Sequence, residues 1–196
     1  MVTPDRICLA LAAQAPPTSD YDLNSDVILP PGRKLRGAAV LIGLMDGAAG
    51  PDVILTVRSS ALKHHPGQIA FPGGKIEDGE TAEMAALREA DEEIGLNRGA
   101  VTVLGTMPPH ETVTSFTVTP VLGWINPGFQ PRPEPGEVAE VFRAPLAHVT
   151  DSAQFRVESR RWRGQRRHYY AVPYGPYYIW GATARILRAL ADRMAL

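Results

Sequence analysis

The chain has 196 residues, 44% hydrophobic and 21% charged, enough for one domain with a proper core. A formal net charge of -1 gives no bulk electrostatic case for nucleic-acid or membrane binding, and no apolar run is long enough to cross a bilayer. Cys8 is the only cysteine, which excludes an internal disulfide and points to a reducing, cytoplasmic setting, and the N-terminus lacks the basic-then-apolar pattern of a secretory signal.

Thr3-Pro4 reads as an N-cap followed by proline at the first helical position, predicting a helix through about Ala13. Pro16, Pro17, Pro30 and Pro31 bracket a polar segment that runs across the surface. Residues 1–36 are therefore expected to be the N-terminal helix and connecting segment of a single domain spanning 1–196. Ala38 to Met45 reads as a buried strand, Asp46 to Asp52 as a glycine-rich turn, and Val53 to Arg58 as the next strand. Ser59 to Gly74 is a long loop, which in a compact domain is usually either functional or disordered, and its contents favour function. A helix follows from about Glu80 to Ile94, stopped by Gly95. Strand-like runs recur at Val101–Met107, Phe116–Ile125, Phe155–Trp162 and His168–Val172, with Arg163-Gly164-Gln165 as a hairpin turn between the last two. Ile179 to Met194 has apolar residues at helical spacing and is expected to pack on the sheet. Strands and helices mixed in this way predict an α/β fold, an α/β/α sandwich around a mixed sheet.

The segment from Gly74 to Leu96 concentrates the chemistry. Glu89, Glu92 and Glu93 fall at i, i+3 and i+4, which puts three carboxylates on one helical face. Like charges on one stripe repel unless a cation sits among them, and hard carboxylate oxygens select Mg²⁺ or Mn²⁺. The substrate suited to such a site is a phosphate ester or anhydride. A solvated acidic helix, the usual meaning of a charge run, explains neither the two glycine boundaries nor the placed Arg88.

These residues resemble the signature of the Nudix hydrolases, G-x5-E-x7-R-E-U-x-E-E-x-G-U, with U apolar. Gly74, Glu80, Arg88, Glu89, Glu92, Glu93 and Gly95 match by identity, and Ala90 and Leu96 fill the apolar slots. The resemblance implies a Nudix-type α/β/α sandwich with a mixed β-sheet, the motif forming loop, helix and loop at one edge. It implies a Mg²⁺ or Mn²⁺ cofactor, with Glu89 and Glu93 as direct ligands and Glu92 close behind. Arg88 would orient the catalytic glutamates through an ion pair, with Glu80 as a partner; Arg88 and Glu92 are also simple i,i+4 neighbours. Glu89 and a carboxylate from a distal loop, Glu137 or Glu140, are the candidates for general base. No serine or cysteine nucleophile paired with a histidine stands out, which favours direct attack by water.

Upstream, Leu55 to Gly74 resembles the further signature of the coenzyme A pyrophosphatase branch, L-L-T-x-R-S-x3-R-x3-G-x3-F-P-G-G. Ile54 and Leu55 fill the apolar pair, and Thr56, Arg58, Ser59, Gly67, Phe71, Pro72, Gly73 and Gly74 match. Lys63 stands where the pattern has arginine, which keeps the charge and loses the bidentate fork. Arg58, Lys63, Gly67, Phe71, Gly73 and Gly74 are thus the expected substrate-binding residues, with His64 and His65 as further groups able to carry positive charge. The expected reaction is hydrolysis of coenzyme A or acyl-CoA to 3′,5′-ADP and 4′-phosphopantetheine or its acyl form. Alternatives are a Nudix pyrophosphatase for another nucleoside diphosphate derivative, such as ADP-ribose, and a catalytically idle nucleotide-binding module. The array associated with the NADH branch is absent after the motif, and no catalytic glutamate is lost. A small-molecule substrate is expected, with no nucleic-acid or membrane partner; the sequence leaves a homodimer open. Arg160, Arg161, Arg163, Arg166 and Arg167 crowd one hairpin, expected to be solvated with arginines on both sides; a nucleic-acid patch and a phosphate contact are the other readings.

Overall fold

In the computed structural model, which describes residues 2–162 and 164–195, the chain opens with α1 (Pro4–Ala12) and β1 (Thr18–Ser19). Then follow β2 (Arg36–Gly47), β3 (Gly50–Arg58), β4 (Ile69–Ala70), β5 (Gly73–Lys75) and α2 (Ala82–Ile94). Next come β6 (Val101–Thr106), β7 (His110–Glu111), β8 (Phe116–Ile125), β9 (Val138–Pro145) and α3 (Leu146–Val149). The hairpin β10 (Arg156–Trp162) and β11 (Gln165–Ala171) precedes α4 (Ala182–Met194). The main sheet runs β1-β7-β8-β2-β3-β4, with β5 beside β2, β6 beside β8 and β9 beside β3. Pairs β2·β8 and β1·β7 are parallel and the remainder antiparallel, so the sheet is mixed as expected.

Strand alternation explains the layers. Along β2, Ile42 and Leu44 face one core with the apolar stripe of α4, while Ala39, Leu41 and Met45 face a second core with Ala86, Ala90 and Ile94 of α2. Both faces are buried, so β2 reads as a continuous apolar run. Ile7 of α1 is fully buried in the first core, and Thr3 caps that helix by accepting from the Arg6 N–H.

Local departures from expectation have identifiable causes. The Asp46–Asp52 turn shrinks to Ala48-Ala49, because ladder pairing continues through Asp46↔Pro51 and Gly47↔Gly50. The Ser59–Gly74 loop contains β4 and β5, which find partners on β3 and β2 that only the folded sheet supplies. Helix α2 starts at Ala82 with Thr81 as its cap, so Glu80 lies just outside it; the helix ends at Gly95, φ 68°. The C-terminal helix starts three residues later than Ile179, because Trp180 bridges back to Ala171 first. Strand β9 was not foreseen: Glu137–Phe142 mixes acids with apolar residues, but its backbone pairs with β3 throughout. In the hairpin turn Gly164 has φ 80° and Trp162 pairs with Gln165; Arg163 lies outside the described residues.

Candidate active site

Two adjacent glycines let β5 lie close to both β2 and α2. A Cβ on Gly73 would stand 2.4 Å from the Ala39 carbonyl oxygen, and one on Gly74 would stand 2.2 Å from Oε1 of Glu89. Any side chain at Gly74 would therefore displace the Glu89 carboxylate. The close approach also aims the Gly73 N–H at Oε2 of Glu93, 3.3 Å away.

Arg88 organises the remaining carboxylates. Its Nε and Nη2 donate to the two oxygens of Glu80 at 2.8 and 3.0 Å, a bidentate pair. Its Nη1 donates to Glu89 at 2.9 Å and Glu92 at 3.2 Å, and Nη2 also reaches the Lys75 carbonyl at 3.0 Å. The cation expected among the helix-face acids is thus supplied in part by the chain itself. The hydrogen bond from Arg88 holds the Glu80 carboxyl down to about 2, with the Glu77 backbone N–H adding to the effect. Glu80 in turn raises the Arg88 pKa.

The three helix-face glutamates are not equivalent. Glu92 stands on the rim with its side chain 61% exposed. Glu89 is mostly enclosed, and burial raises its pKa against the opposing contact with Arg88. Glu93 is 5% exposed, and burial pushes its carboxyl up to about 8. The Gly73 N–H and the charge of Arg58 oppose that shift, while Glu89 and Glu137 add to it. Among the described residues, no three His, Cys, Asp or Glu side chains converge as a ready set of metal ligands, since Arg88 engages Glu89 and Glu92 in this conformation.

The donor chemistry nevertheless fits a hard divalent cation. A carboxylate buried as deeply as Glu93, four residues from another enclosed one, is costly in ionised form without a cation beside it. Glu89 and Glu93 would hold the ion, with Glu92 able to swing in from the rim. Bound there, a divalent cation would neutralise phosphate charge and acidify a water molecule.

The upstream loop sits beside these acids. Arg58 ends β3; its N–H donates to the Gln68 carbonyl and its own carbonyl accepts from the Gly67 N–H, both at 3.0 Å, closing the loop between them. Burial, helped by the charge of Arg58, lowers the pKa of His65; the same charge opposes the burial that raises Glu93, and the buried Nε of Arg58 has no hydrogen-bond partner among the described residues. Gly67 takes φ 70°. Lys63, His64 and His65 are exposed, whereas Phe71 is 4% exposed within the first core and anchors the loop by packing. Of the two distal carboxylates, Glu137 is exposed and its charge reaches both Glu89 and Glu93. Glu140 is on strand β9 rather than in a loop, and it accepts from the Tyr177 hydroxyl at 2.5 Å. The hairpin arginines do split to two sides: Arg160 pairs across from Arg167, and Arg161 from Arg166.

An acidic helix clamped by one arginine under a glycine loop, on a mixed sheet covered on both faces, defines a class of phosphate-processing hydrolase. Residues 34–164 match the NUDIX domain. The chain is 41% identical to a protein of Escherichia coli O6:H1, named an uncharacterized Nudix hydrolase, NudL, over 80% of this chain and 81% of that protein. A protein of Shigella boydii serotype 4 with the same name matches to the same extent. The fold is similar to that of RenU, a Nudix hydrolase from M. smegmatis, with a TM-score of 0.51, 28% identity, and coverage of 58% of this chain and 73% of that one. The chain belongs to the Nudix hydrolase family. It is a hydrolase of that family, whose members generally use divalent metal ions such as Mg²⁺ or Mn²⁺. Among the described residues no helix is long and apolar enough to cross a membrane.

Proposed function

We propose that this chain cleaves the pyrophosphate of coenzyme A or acyl-CoA, giving 3′,5′-ADP and 4′-phosphopantetheine or its acyl form. The observation that carries the reading is the second signature, Leu55 to Gly74, folded so that its Arg58 lies within electrostatic reach of Glu93. Arg58, the loop backbone at Gly67, Gly73 and Gly74, and the exposed Lys63 bind the phosphates. Phe71 supports them from the core.

A water oxygen attacks one phosphorus, the bridging P–O bond breaks, and its electron pair leaves on the other phosphate. The water's proton passes to a carboxylate. Glu89 is raised towards the working pH by burial, which suits a base; Glu137 is the better placed of the distal candidates because its charge reaches both helix acids. Arg88 keeps Glu89 and Glu92 in register and touches Glu80 rather than the substrate.

Mass analysis of products tests the reading: with Mg²⁺ or Mn²⁺ and a panel of coenzyme A, NADH, ADP-ribose and nucleoside triphosphates, coenzyme A should have the highest kcat/KM. Preference for ADP-ribose or a nucleotide sugar would move the chain to another branch of the family. Arg58→Ala should lower kcat/KM for coenzyme A by about 10–100-fold, the range for a lost charged hydrogen bond, and more than it does for ADP-ribose. Equal losses would assign Arg58 to the shared pyrophosphate or to folding.

A further inference from the structure

The hairpin leaves one strand edge open. Strand β10 is laddered along its whole length to β11, and among the described residues it has no strand on its other side. The far edge of β11 is met by the chain itself: Ala171 bridges to Trp180, and the Gly181 N–H donates to the Tyr170 carbonyl. Strand β10 has no proline or glycine, and its seven residues present outward N–H and C=O groups along about 23 Å. An edge of that kind is a template for another strand. Its residues are largely exposed, and Val157 is 55% exposed.

The charges along β10 choose the partner. Arg156, Arg160 and Arg161 repel a second strand unless the register opposes them to acids. A second copy of β10 meeting the first antiparallel about a two-fold axis has one residue at the axis that meets its own twin. With Ser159 at the axis, all seven residues are laddered. Glu158 then meets Arg160 of the second copy, and Arg160 meets its Glu158. Two opposite-charge pairs result and no like-charge pair. The other registers are worse. Centring on Glu158 sets Arg156 against Arg160, and centring on Arg160 or Arg161 sets two arginines together at the axis. Centring on Val157 runs residues 160–162 into the helical turn Ser152–Gln154, which offers no strand.

The charged groups are already held on one face. The Tyr178 hydroxyl donates to Oε2 of Glu158 at 2.5 Å, and the Arg160 guanidinium lies 5.1 Å from the Trp180 centroid. Side chains fixed in advance lose less entropy on association. Val157 is on the opposite face, where the register sets it against the aliphatic stem of Arg161 from the second copy.

We propose that the protein associates as a two-fold dimer through β10, the two hairpins joining into one four-stranded antiparallel sheet with Ser159 at the axis. One strand edge is less than a permanent dimer interface, so the expected Kd is on the order of 1–100 μM. The proposal goes beyond the enzymatic reading and does not depend on it.

Sedimentation velocity from about 1 to 500 μM tests it, and wild type should become dimeric over that range. Glu158→Arg and Arg160→Glu should each weaken association at least about tenfold, since each turns two opposed pairs into two like-charge pairs. The double variant Glu158→Arg/Arg160→Glu restores the opposition with signs exchanged and should return Kd to within about threefold of wild type. That recovery separates a broken interface from a misfolded hairpin. Cys8 is exposed, so cross-linking is done in a Cys8→Ser background. There Ser159→Cys should form an intermolecular disulfide on mild oxidation, because self-opposed Cα atoms lie about 4.5–5.5 Å apart. Val157→Cys should not, because its twin lies about 13 Å further along the strand. A monomeric wild type, single charge variants that dimerise as wild type does, a double variant that does not recover, or cross-linking at Val157→Cys in place of Ser159→Cys overturns the proposal.

Discussion

Glu93→Gln and Glu89→Gln will each lower kcat by about a hundredfold to ten-thousandfold, with the fold intact. The two carboxylates are the enclosed members of the acidic face, and a metal contact is worth several kcal/mol, each 1.36 kcal/mol being a factor of about ten in rate. Glutamine keeps the size and the oxygen that accepts from the Gly73 N–H, so the loss isolates charge from packing. Glu92→Gln should cost less, because Glu92 stands on the rim. EDTA should reproduce the double loss in wild type. Steady-state kinetics at saturating Mg²⁺ decide the matter: a Glu93→Gln enzyme within about threefold of wild type would rule out an essential ligand there.

The same substitution should stabilise the metal-free protein at alkaline pH. Burial pushes the Glu93 carboxyl up to about 8 in the folded chain, against an ordinary value of 4.5. Between those values the folded chain holds a proton that the unfolded chain has released, so stability falls as pH rises through this window. A displacement of that size is worth at most about 5 kcal/mol, which relaxation and water penetration reduce to about 2–3 kcal/mol. Glu89, also raised, acts in the same sense. Glu80 acts in the opposite one: held down to about 2, it contributes stability that is lost as pH falls from 4.5 towards that value. Unfolding in EDTA should therefore show a maximum near pH 5 and a decline towards pH 8. Glu93→Gln should remove most of the decline and raise Tm at pH 8 by about 5 °C. Added Mg²⁺ should flatten the wild-type profile and leave the variant's nearly unmoved. A wild-type curve that is flat or rises from about pH 5 to 8, or a decline that survives in Glu93→Gln, would show that Glu93 is not held neutral by burial.

Short-range patterns made much of the site legible before any fold was known. The i,i+4 spacing of Glu89 and Glu93, the placement of Gly74 six residues before Glu80, and the arginine at 88 are relations within one loop and one helix. The Arg88 contacts to Glu80 and Glu92 emerged as expected, whereas the close approach of Gly74 to Glu89, which glycine's missing Cβ allows, was visible only in the fold. The core strands β2, β3 and β8 were equally plain, because long apolar runs have few other places to go. Short strands were not: β1, β4, β5 and β7 have two or three residues each and exist only where a partner strand offers its backbone.

By itself, then, the sequence determined the family, the acidic helix and the arginine that serves it, since those depend on neighbours along the chain. The tertiary structure decided which of three similar glutamates is buried, because exposure depends on how β2 and β5 pack against the helix. It decided that Glu137 and not Glu140 is felt at the site, because pairing with β3 commits Glu140 to Tyr177. It also sorted the four described hairpin arginines, since strand register sets Arg160 and Arg167 on one side and Arg161 and Arg166 on the other. Charge and spacing are written in the chain; dielectric environment and register are collective properties of packing, and those are what distinguish one carboxylate or arginine from the next.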